Sequence, residues 1–292
     1  MEPWVIWISA FLAAWGALIL LSAWISSARL REDDFLANAL YRLMQVYARI
    51  VHNLRVEGRE NIPAPDQNRR LRFPLIVAAN HTAGIDPILI QAPLWFEPRW
   101  MMAQDMRAPQ LDWLWTLAHI IFVDRTSKES RSAREALRHL KNGGALGVFP
   151  EGHIERPPEH LLPFRGGIGF LIAKSGAAVL PVVISGTPQV DPAWASLTRP
   201  SRSVVRFLPV VHYEKGTTPD AIGADLERRF AEATGWPRAP RIPILDAERR
   251  IMVDLAGNYV DDAGRPITDA EARAIAATDA SDPEASPRKD AP

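Results

Sequence analysis

An uninterrupted run of uncharged, mostly apolar residues opens the chain and extends over residues 3–28. A helix of this length exceeds the roughly 30 Å hydrocarbon layer of a bilayer. The first four residues lack the basic region of a signal peptide, so residues 1–28 are predicted to be a retained membrane anchor, with a buried core helix as the alternative. Arg29 and Arg31 follow the run and favour the cytoplasmic side for the rest of the chain.

Residues 29–53 contain apolar positions at helical spacing. These positions are Phe35, Leu36, Leu40, Leu43, Met44, Tyr47, Ile50 and Val51. The spacing predicts an amphipathic helix. The sequence leaves open whether this helix lies along a bilayer surface or packs on the domain that follows.

Between residues 54 and 245, short apolar runs alternate with helical patterns. Strands are predicted at residues 54–58, 75–79, 99–102, 120–123, 145–149, 178–185 and 203–210, and helices at 87–95, 111–118, 130–141, 168–175 and 220–233. A wholly apolar strand such as 75–79 is typical of a sheet covered on both faces. The alternation predicts one α/β domain, a partly parallel sheet flanked by helices, with its functional residues at strand ends.

The last part of the chain, residues 246–292, is predicted to be a C-terminal extension. Two short apolar runs at 250–254 and 257–260 predict a small hairpin closed near residues 261–264. From residue 268 the chain is rich in Ala, Asp, Glu and Pro, which predicts a disordered or loosely helical end.

Composition and charge narrow the possible functions. Lysine plus arginine number 34 and aspartate plus glutamate number 34, so no net charge favours a nucleic-acid partner. The chain contains no cysteine and no Gly-x-Ser-x-Gly elbow, so an esterase with a covalent intermediate lacks its nucleophile. No pair of potential ligands has metal-site spacing. Ten tryptophans, four of them before residue 25, suit a protein at a membrane interface.

The candidate chemistry follows the predicted strand at residues 75–79. His81 and Asp86 are five positions apart, which does not suit neighbours on one helix face. A turn that uses a positive φ at Gly84 can instead fold the carboxylate onto the imidazole. The pair would then be a general base whose tautomer the carboxylate fixes. The alternative is an ordinary turn histidine, with Asp86 and Pro87 only starting a helix.

Asn80-His81 together with Asp86 resemble the His-x-x-x-x-Asp signature of the glycerolipid acyltransferases related to 1-acyl-sn-glycerol-3-phosphate acyltransferase, the lysophosphatidic acid acyltransferase. Further segments resemble blocks of this family in the same order, at residues 56–63, 121–125, 148–152, 163–167 and 179–184. The resemblance covers residues 56–184. It implies an acyltransferase domain at residues 54–245 that moves a fatty acyl group from a thioester to a lipid hydroxyl, with lysophosphatidic acid as the default acceptor.

The resemblance also implies roles for individual residues. His81 would remove the hydroxyl proton, Asp86 would orient His81, and amides near their turn would stabilise the oxyanion. Substrate-binding residues are expected at Asn80, Arg125, Glu151, Gly152, Arg165 and Pro181. No cofactor is implied, because the donor thioester of acyl-CoA or acyl carrier protein is already activated. The implied partners are this donor and membrane lipids, with the catalytic domain on the cytoplasmic face and the oligomeric state open.

The sequence departs from the family pattern at two places. His119 stands where the family usually has glycine. His153 and Ile154 replace the Thr and Arg that usually follow the block at residues 148–152. Because Ile154 cannot hold a phosphate, a phosphorylated acceptor must rely on other basic residues, namely Arg125, Arg156 or Arg165. The alternatives are a different lyso-lipid or a phosphate-free acceptor, a lipid esterase, or a lipid-binding protein without catalysis.

Overall fold

The structure, a computed structural model, describes residues 3–28, 30–31, 34–124, 131–244 and 251–281. Its helices are α1 Pro3–Ser26, α2 Phe35–Ile50, α3 Asp86–Gln91, α4 Asp112–Leu117, α5 Arg131–Lys141, α6 Gly167–Ser175, α7 Pro219–Thr234 and α8 Asp269–Ser281. Its strands are β1 Arg55–Glu57, β2 Leu75–Ala79, β3 Arg99–Ala103, β4 Ile121–Val123, β5 Ala145–Val148, β6 Ala178–Ser185, β7 Val204–Phe207, β8 Ile251–Val253 and β9 Tyr259–Asp261.

Seven of these strands form one sheet in the order β1-β7-β6-β2-β5-β3-β4. The five strands from β6 to β4 are parallel to one another, and β7 is antiparallel to β6. This mostly parallel sheet with flanking helices confirms the predicted α/β class. Because the parallel strands end at the same edge, the segments that follow β2, β4, β5 and β6 meet there.

Strand β2 lies in the middle of the sheet, and all five of its residues are buried. Leu75, Val77 and Ala79 pack in the core that includes α3, whereas Ile76 and Ala78 pack in the core built from α5, α6 and α7. A strand covered on both faces has no position for a polar side chain, which explains its uninterrupted apolar run.

Helix α2 packs on the domain with one side and leaves the other exposed. The hydroxyl of Tyr41 donates to the carbonyl of Leu94, and Nε2 of Gln45 donates to the carbonyl of Ala92 at 2.9 Å. The exposed side carries large apolar residues, namely Phe35, Leu36, Leu43 and Ile50. The helix therefore has a docked face and a free apolar face.

The predicted membrane anchor corresponds to α1. This helix contacts α2 through Arg42, whose guanidinium lies 5.1 Å from the ring centroid of Trp24. Among the described residues, no helix combines the length and apolarity needed to cross a membrane. The anchor therefore stays a prediction.

The C-terminal hairpin forms, but its turn is not where the sequence predicted it. Strands β8 and β9 are joined at residues 254–258, where the carboxylate of Asp254 accepts the backbone N–H groups of Ala256 and Asn258 at 2.9 and 2.8 Å. Residues 261–264 form a separate turn after β9. Helix α8 occupies most of the segment predicted to be disordered or loosely helical, and residues 282–292 lie outside the described part.

Candidate active site

A tight turn after β2 brings Asp86 onto His81. Oδ2 of Asp86 lies 2.9 Å from Nδ1 of His81. The same oxygen accepts the backbone N–H of Thr82 at 2.6 Å and of Ala83 at 2.9 Å, while Oδ1 accepts the hydroxyl of Thr82 at 3.0 Å. The Asp86 side chain is fully buried, whereas the His81 side chain is 18% exposed. A buried carboxylate thus holds a partly exposed imidazole.

The contact with Asp86 selects the tautomer of His81. A carboxylate can only accept hydrogen bonds, so Nδ1 carries the proton in this contact. Nε2 is then the ring nitrogen that keeps its lone pair. This arrangement suits a general base that takes a proton at Nε2 while Asp86 balances the charge that forms on the ring.

The structure forms the pair by a different route from the predicted one. Asp86 is the first residue of α3, the N-cap position belongs to Ile85, and no side chain caps this helix. The predicted cap role of Asp86 is therefore wrong, because its carboxylate folds back onto the preceding turn. Gly84 does not adopt a positive φ; instead, a Cβ at this position would lie 2.6 Å from the carbonyl oxygen of Ala193.

An aromatic stack supports the imidazole from the neighbouring strands. The ring of His81 stacks on Phe149, with centroids 4.0 Å apart, and Phe149 stacks on Trp100 at 5.2 Å. Trp100 in turn lies against Gly147 of β5, where a Cβ would overlap the indole. Sequence analysis missed this stack. The signal was the glycine inside an apolar strand, which often marks the close approach of another group.

Glu151 holds the turn from the end of β5. Its Oε1 accepts the backbone N–H of His81 at 3.2 Å, and its Oε2 accepts that of Leu162 at 3.2 Å. Burial, followed by the charge of Glu155, raises the pKa of Glu151 well above its ordinary value. Glu151 is 2% exposed and positions the backbone of His81, while its expected contact with an acceptor stays a prediction.

Gly152 and Arg165 lie together beside this turn. Gly152 has a φ of +71°, and a Cβ there would lie 2.6 Å from Nε of Arg165. The same nitrogen donates to the carbonyl of Glu151 at 3.3 Å. The glycine therefore permits the close approach that places a guanidinium next to the His81–Asp86 turn.

Asn80 and Pro181 are enclosed in the sheet. Nδ2 of Asn80 donates to the carbonyl of Ile184, and its Oδ1 accepts the N–H of Ile184, both at 2.9 Å. These two hydrogen bonds extend the pairing of β2 with β6. Pro181 is buried in β6 opposite Ala78. Both residues support the strands that carry the site, and their predicted substrate contacts stay predictions.

The remaining candidate phosphate ligands differ in position. Arg125 lies outside the described residues, two positions beyond the end of β4, so its contact stays a prediction. Arg156 is buried, donates to Asp191 at 2.9 Å and donates to the carbonyl of Glu155 at 2.7 Å. These bonds engage Arg156 inside the protein, which leaves Arg165 as the candidate beside the described turn.

His119 lies just before β4 in a left-handed backbone conformation. Its φ is +51°, in the region that glycine enters without a steric cost. A glycine at this position would therefore fit the same backbone.

Stability is expected to fall as the pH rises from about 5 to about 8. Burial raises the pKa of Glu155 from 4.5 to about 8, and that of Glu151 also rises. The native state therefore holds these protons where the unfolded chain has released them, so the free energy of unfolding decreases across this range. The thermal unfolding midpoint, measured from pH 5 to pH 9, should fall as the pH rises. In Glu155→Gln the midpoint should fall less steeply with pH.

The matched control for this prediction is Glu60→Gln. Glu60 is exposed and lies beyond the end of β1, at the opposite edge of the sheet. The thermal unfolding midpoint of Glu60→Gln should change with pH at the same slope as that of the wild type. An unchanged slope in Glu155→Gln would show that Glu155 is not the titrating group.

The chain is similar to known proteins in sequence and in structure. Residues 53–185 match the sequence profile of the Acyltransferase family. The 1-acyl-sn-glycerol-3-phosphate acyltransferase of Limnanthes douglasii is 30% identical over 152 residues, which cover 49% of this chain and 52% of that protein. The enzyme of the same name from Borreliella burgdorferi is 31% identical over 136 residues, covering 45% and 51%. The chain spans about half the length of the curated relatives it matches.

A solved structure shows the same fold. The 1-acyl-sn-glycerophosphate acyltransferase PlsC from Thermotoga maritima aligns with a TM-score of 0.57 over 77% of this chain and 91% of that chain, at 23% sequence identity. Residues 53–185 therefore resemble the Acyltransferase family in their sequence profile, and the structure adds a PlsC-like fold and the contact between His81 and Asp86. These findings support the resemblance to the glycerolipid acyltransferases related to 1-acyl-sn-glycerol-3-phosphate acyltransferase that was found in the sequence.

Proposed function

We propose that this protein transfers a fatty acyl group from an acyl thioester to the free hydroxyl of a lysophospholipid. The observation that carries the proposal is the contact between Nδ1 of His81 and the buried carboxylate of Asp86. The default acceptor is lysophosphatidic acid, which would give phosphatidic acid for phospholipid synthesis. Acyl-CoA or acyl carrier protein would supply the thioester.

In the proposed reaction, Nε2 of His81 takes the proton of the acceptor hydroxyl as the oxygen attacks the thioester carbonyl. Asp86 stabilises the imidazolium that forms. The tetrahedral intermediate then collapses, the carbon–sulfur bond breaks, and the imidazolium returns a proton to the leaving thiolate. No acyl group becomes attached to the protein, in keeping with a chain that has no cysteine and no nucleophile elbow.

The amides nearest to the turn are engaged elsewhere. The N–H groups of Thr82 and Ala83 donate to Asp86, and that of His81 donates to Glu151. These three N–H groups are therefore already used, and the expectation that amides near the turn stabilise the oxyanion stays a prediction for the other amides. Arg165, next to Gly152, is the described cation that we assign to an anionic group of the substrate.

We also propose that the protein works at a membrane, with the domain on the cytoplasmic face. The acceptor is a lipid, and the exposed faces of α1 and α2 carry apolar side chains such as Trp7, Phe11, Phe35 and Leu36. Such faces favour the boundary between head groups and acyl chains.

The direct test is acyl transfer with the purified chain of residues 1–292 in mixed micelles. Labelled acyl-CoA and labelled acyl carrier protein are each offered with lysophosphatidic acid and with other lyso-lipids. We expect labelled diacyl phospholipid and one free thiol for each acyl group transferred. Free fatty acid formed without any acceptor would instead identify an esterase, and no product from either donor would contradict the proposed function.

A further inference from the structure

Phe149 covers one face of the imidazole that becomes charged in the proposed reaction. The ring centroids of Phe149 and His81 lie 4.0 Å apart, and the two ring planes are inclined by 16°. Asp86 contacts the same imidazole at Nδ1, on the edge of the ring. The carboxylate and the aromatic ring therefore use different parts of the imidazole, and neither contact uses Nε2, the atom that takes the proton.

The stack follows from the order of the strands. Strand β5 lies between β2 and β3 in the sheet. His81 follows β2, Phe149 follows β5 and Trp100 belongs to β3, so the middle ring of the stack comes from the middle strand. Trp100 lies 5.2 Å from Phe149 between centroids, with the planes inclined by 19°. Neighbouring strands are about 4.8 Å apart, so three nearly parallel rings fit their spacing.

The imidazolium that forms at His81 is partly removed from water. The side chain is 18% exposed, and the ring of Phe149 keeps water from one face of it. An aliphatic wall at this face would oppose a positive charge, because the charge would lose hydration and gain no partner. An aromatic face carries partial negative charge and attracts a cation within about 6 Å of its centroid. Phe149 therefore suits the charged imidazole better than the neutral one.

Two other acidic side chains at the turn supply little negative charge near neutral pH. Glu151 accepts the backbone N–H of His81, and Glu155 donates its own backbone N–H to the carbonyl of His81. Burial raises the pKa of Glu155 to about 8 and the pKa of Glu151 well above its ordinary value. Within the described part of the chain, the ring contacts that can stabilise an imidazolium are those with Asp86 and Phe149.

We propose that Phe149 is a positioning residue that stabilises the charged form of His81 in the transition state through the π face of its ring, which Trp100 holds parallel to the imidazole. The inference rests on the proposed function and adds a residue to its mechanism. The neutral imidazole of the free protein gains less from the aromatic face than the imidazolium does. The contact therefore lowers the barrier to transfer and does not strengthen substrate binding.

The test replaces Phe149 by mono-, di- and trifluorophenylalanine. Fluorine withdraws electron density from the ring face and nearly preserves the shape of the side chain. We expect the single-turnover rate at saturating substrates to fall by about twofold for each fluorine and by about tenfold for the trifluoro ring. A tenfold loss corresponds to about 1.4 kcal/mol. The substrate concentrations needed for saturation should not change, because the charge forms only in the transition state.

The matched control is the same fluorinated series at Phe73. The ring of Phe73 also contacts a histidine, His212, but the two rings meet edge to face at 5.2 Å. Phe73 precedes the amino end of β2, whereas His81 follows the carboxyl end of this strand. Fluorination of Phe73 should leave the rate and the saturation unchanged. Thermal unfolding midpoints of both series check that the fold is intact.

Phe149→Leu is a second variant, which removes the π face and keeps an apolar side chain. It should lower the single-turnover rate at least as far as the trifluoro ring does. Equal rates across the fluorinated Phe149 series, measured beside an active wild type, would overturn the inference and leave acyl transfer intact. Weaker saturation at an unchanged rate would also overturn it, because Phe149 would then act in substrate binding. Absence of transfer by the wild type would remove the proposed function and this inference together.

Discussion

Replacement of His81 by alanine should lower kcat/KM for acyl transfer by about 10³-fold or more and leave the fold unchanged. General-base catalysis by a positioned histidine contributes roughly 10²–10⁴-fold, and the stacked, carboxylate-bound ring of His81 is positioned for this role. The side chain is 18% exposed and its ring contacts are Asp86 and Phe149, so its removal opens no large internal cavity. The measurement is initial transfer rate at several acceptor concentrations, with circular dichroism of the same preparation.

The matched control is His212→Ala. His212 is exposed, and its ring meets the edge of Phe73 away from the site. This variant should transfer acyl groups at the wild-type rate. If His81→Ala retained activity within about tenfold of the wild type, His81 would not be the general base.

Asp86→Asn should lower kcat/KM by about 10²-fold or more with only a small loss of stability. A carboxamide oxygen at the position of Oδ2 still accepts from Nδ1 of His81 and from the amides of Thr82 and Ala83. The Thr82 hydroxyl can turn to accept from the new NH₂ group. Geometry is thereby kept, but the negative charge that stabilises the imidazolium is lost.

Asp86→Ala separates this electrostatic effect from the structural one. It removes every acceptor that Asp86 offers to the turn, so the free energy of unfolding should fall by about 3 kcal/mol or more, compared with about 1 kcal/mol for Asp86→Asn. Urea unfolding of both variants gives these values. Wild-type kcat/KM in Asp86→Asn would mean that the charge of Asp86 plays no part in the reaction.

The central elements could be predicted from the sequence because their environment leaves little choice. Strands β2 and β6 lie inside the sheet, and their apolar runs coincide with their observed bounds, Leu75–Ala79 and Ala178–Ser185. The ends of α6 and α7 were also readable, since Gly176 and Gly235 take the left-handed conformation that stops a helix. The five-residue offset allowed a contact between His81 and Asp86 through a turn, but it left an ordinary turn histidine as an equal alternative.

The supports of the site could not be predicted, because they depend on the order of strands rather than on local pattern. Trp100 stacks on Phe149 only because β3 pairs with β5. Asn80 forms hydrogen bonds with the backbone of Ile184 only because β2 pairs with β6. A periodicity cannot reveal these partners. The burial of Glu155 was hidden for the same reason, since a charged residue in a proline-rich loop is ordinarily expected at the surface.

The most direct test of the account is the release of free thiol from an acyl thioester by the wild type and by His81→Ala, each with and without a lyso-lipid. If His81 activates the acceptor hydroxyl for direct attack, the wild type releases thiol only when the acceptor is present, no acyl group remains on the protein, and His81→Ala releases almost none. Thiol release without acceptor, accompanied by an acylated protein, would contradict this mechanism.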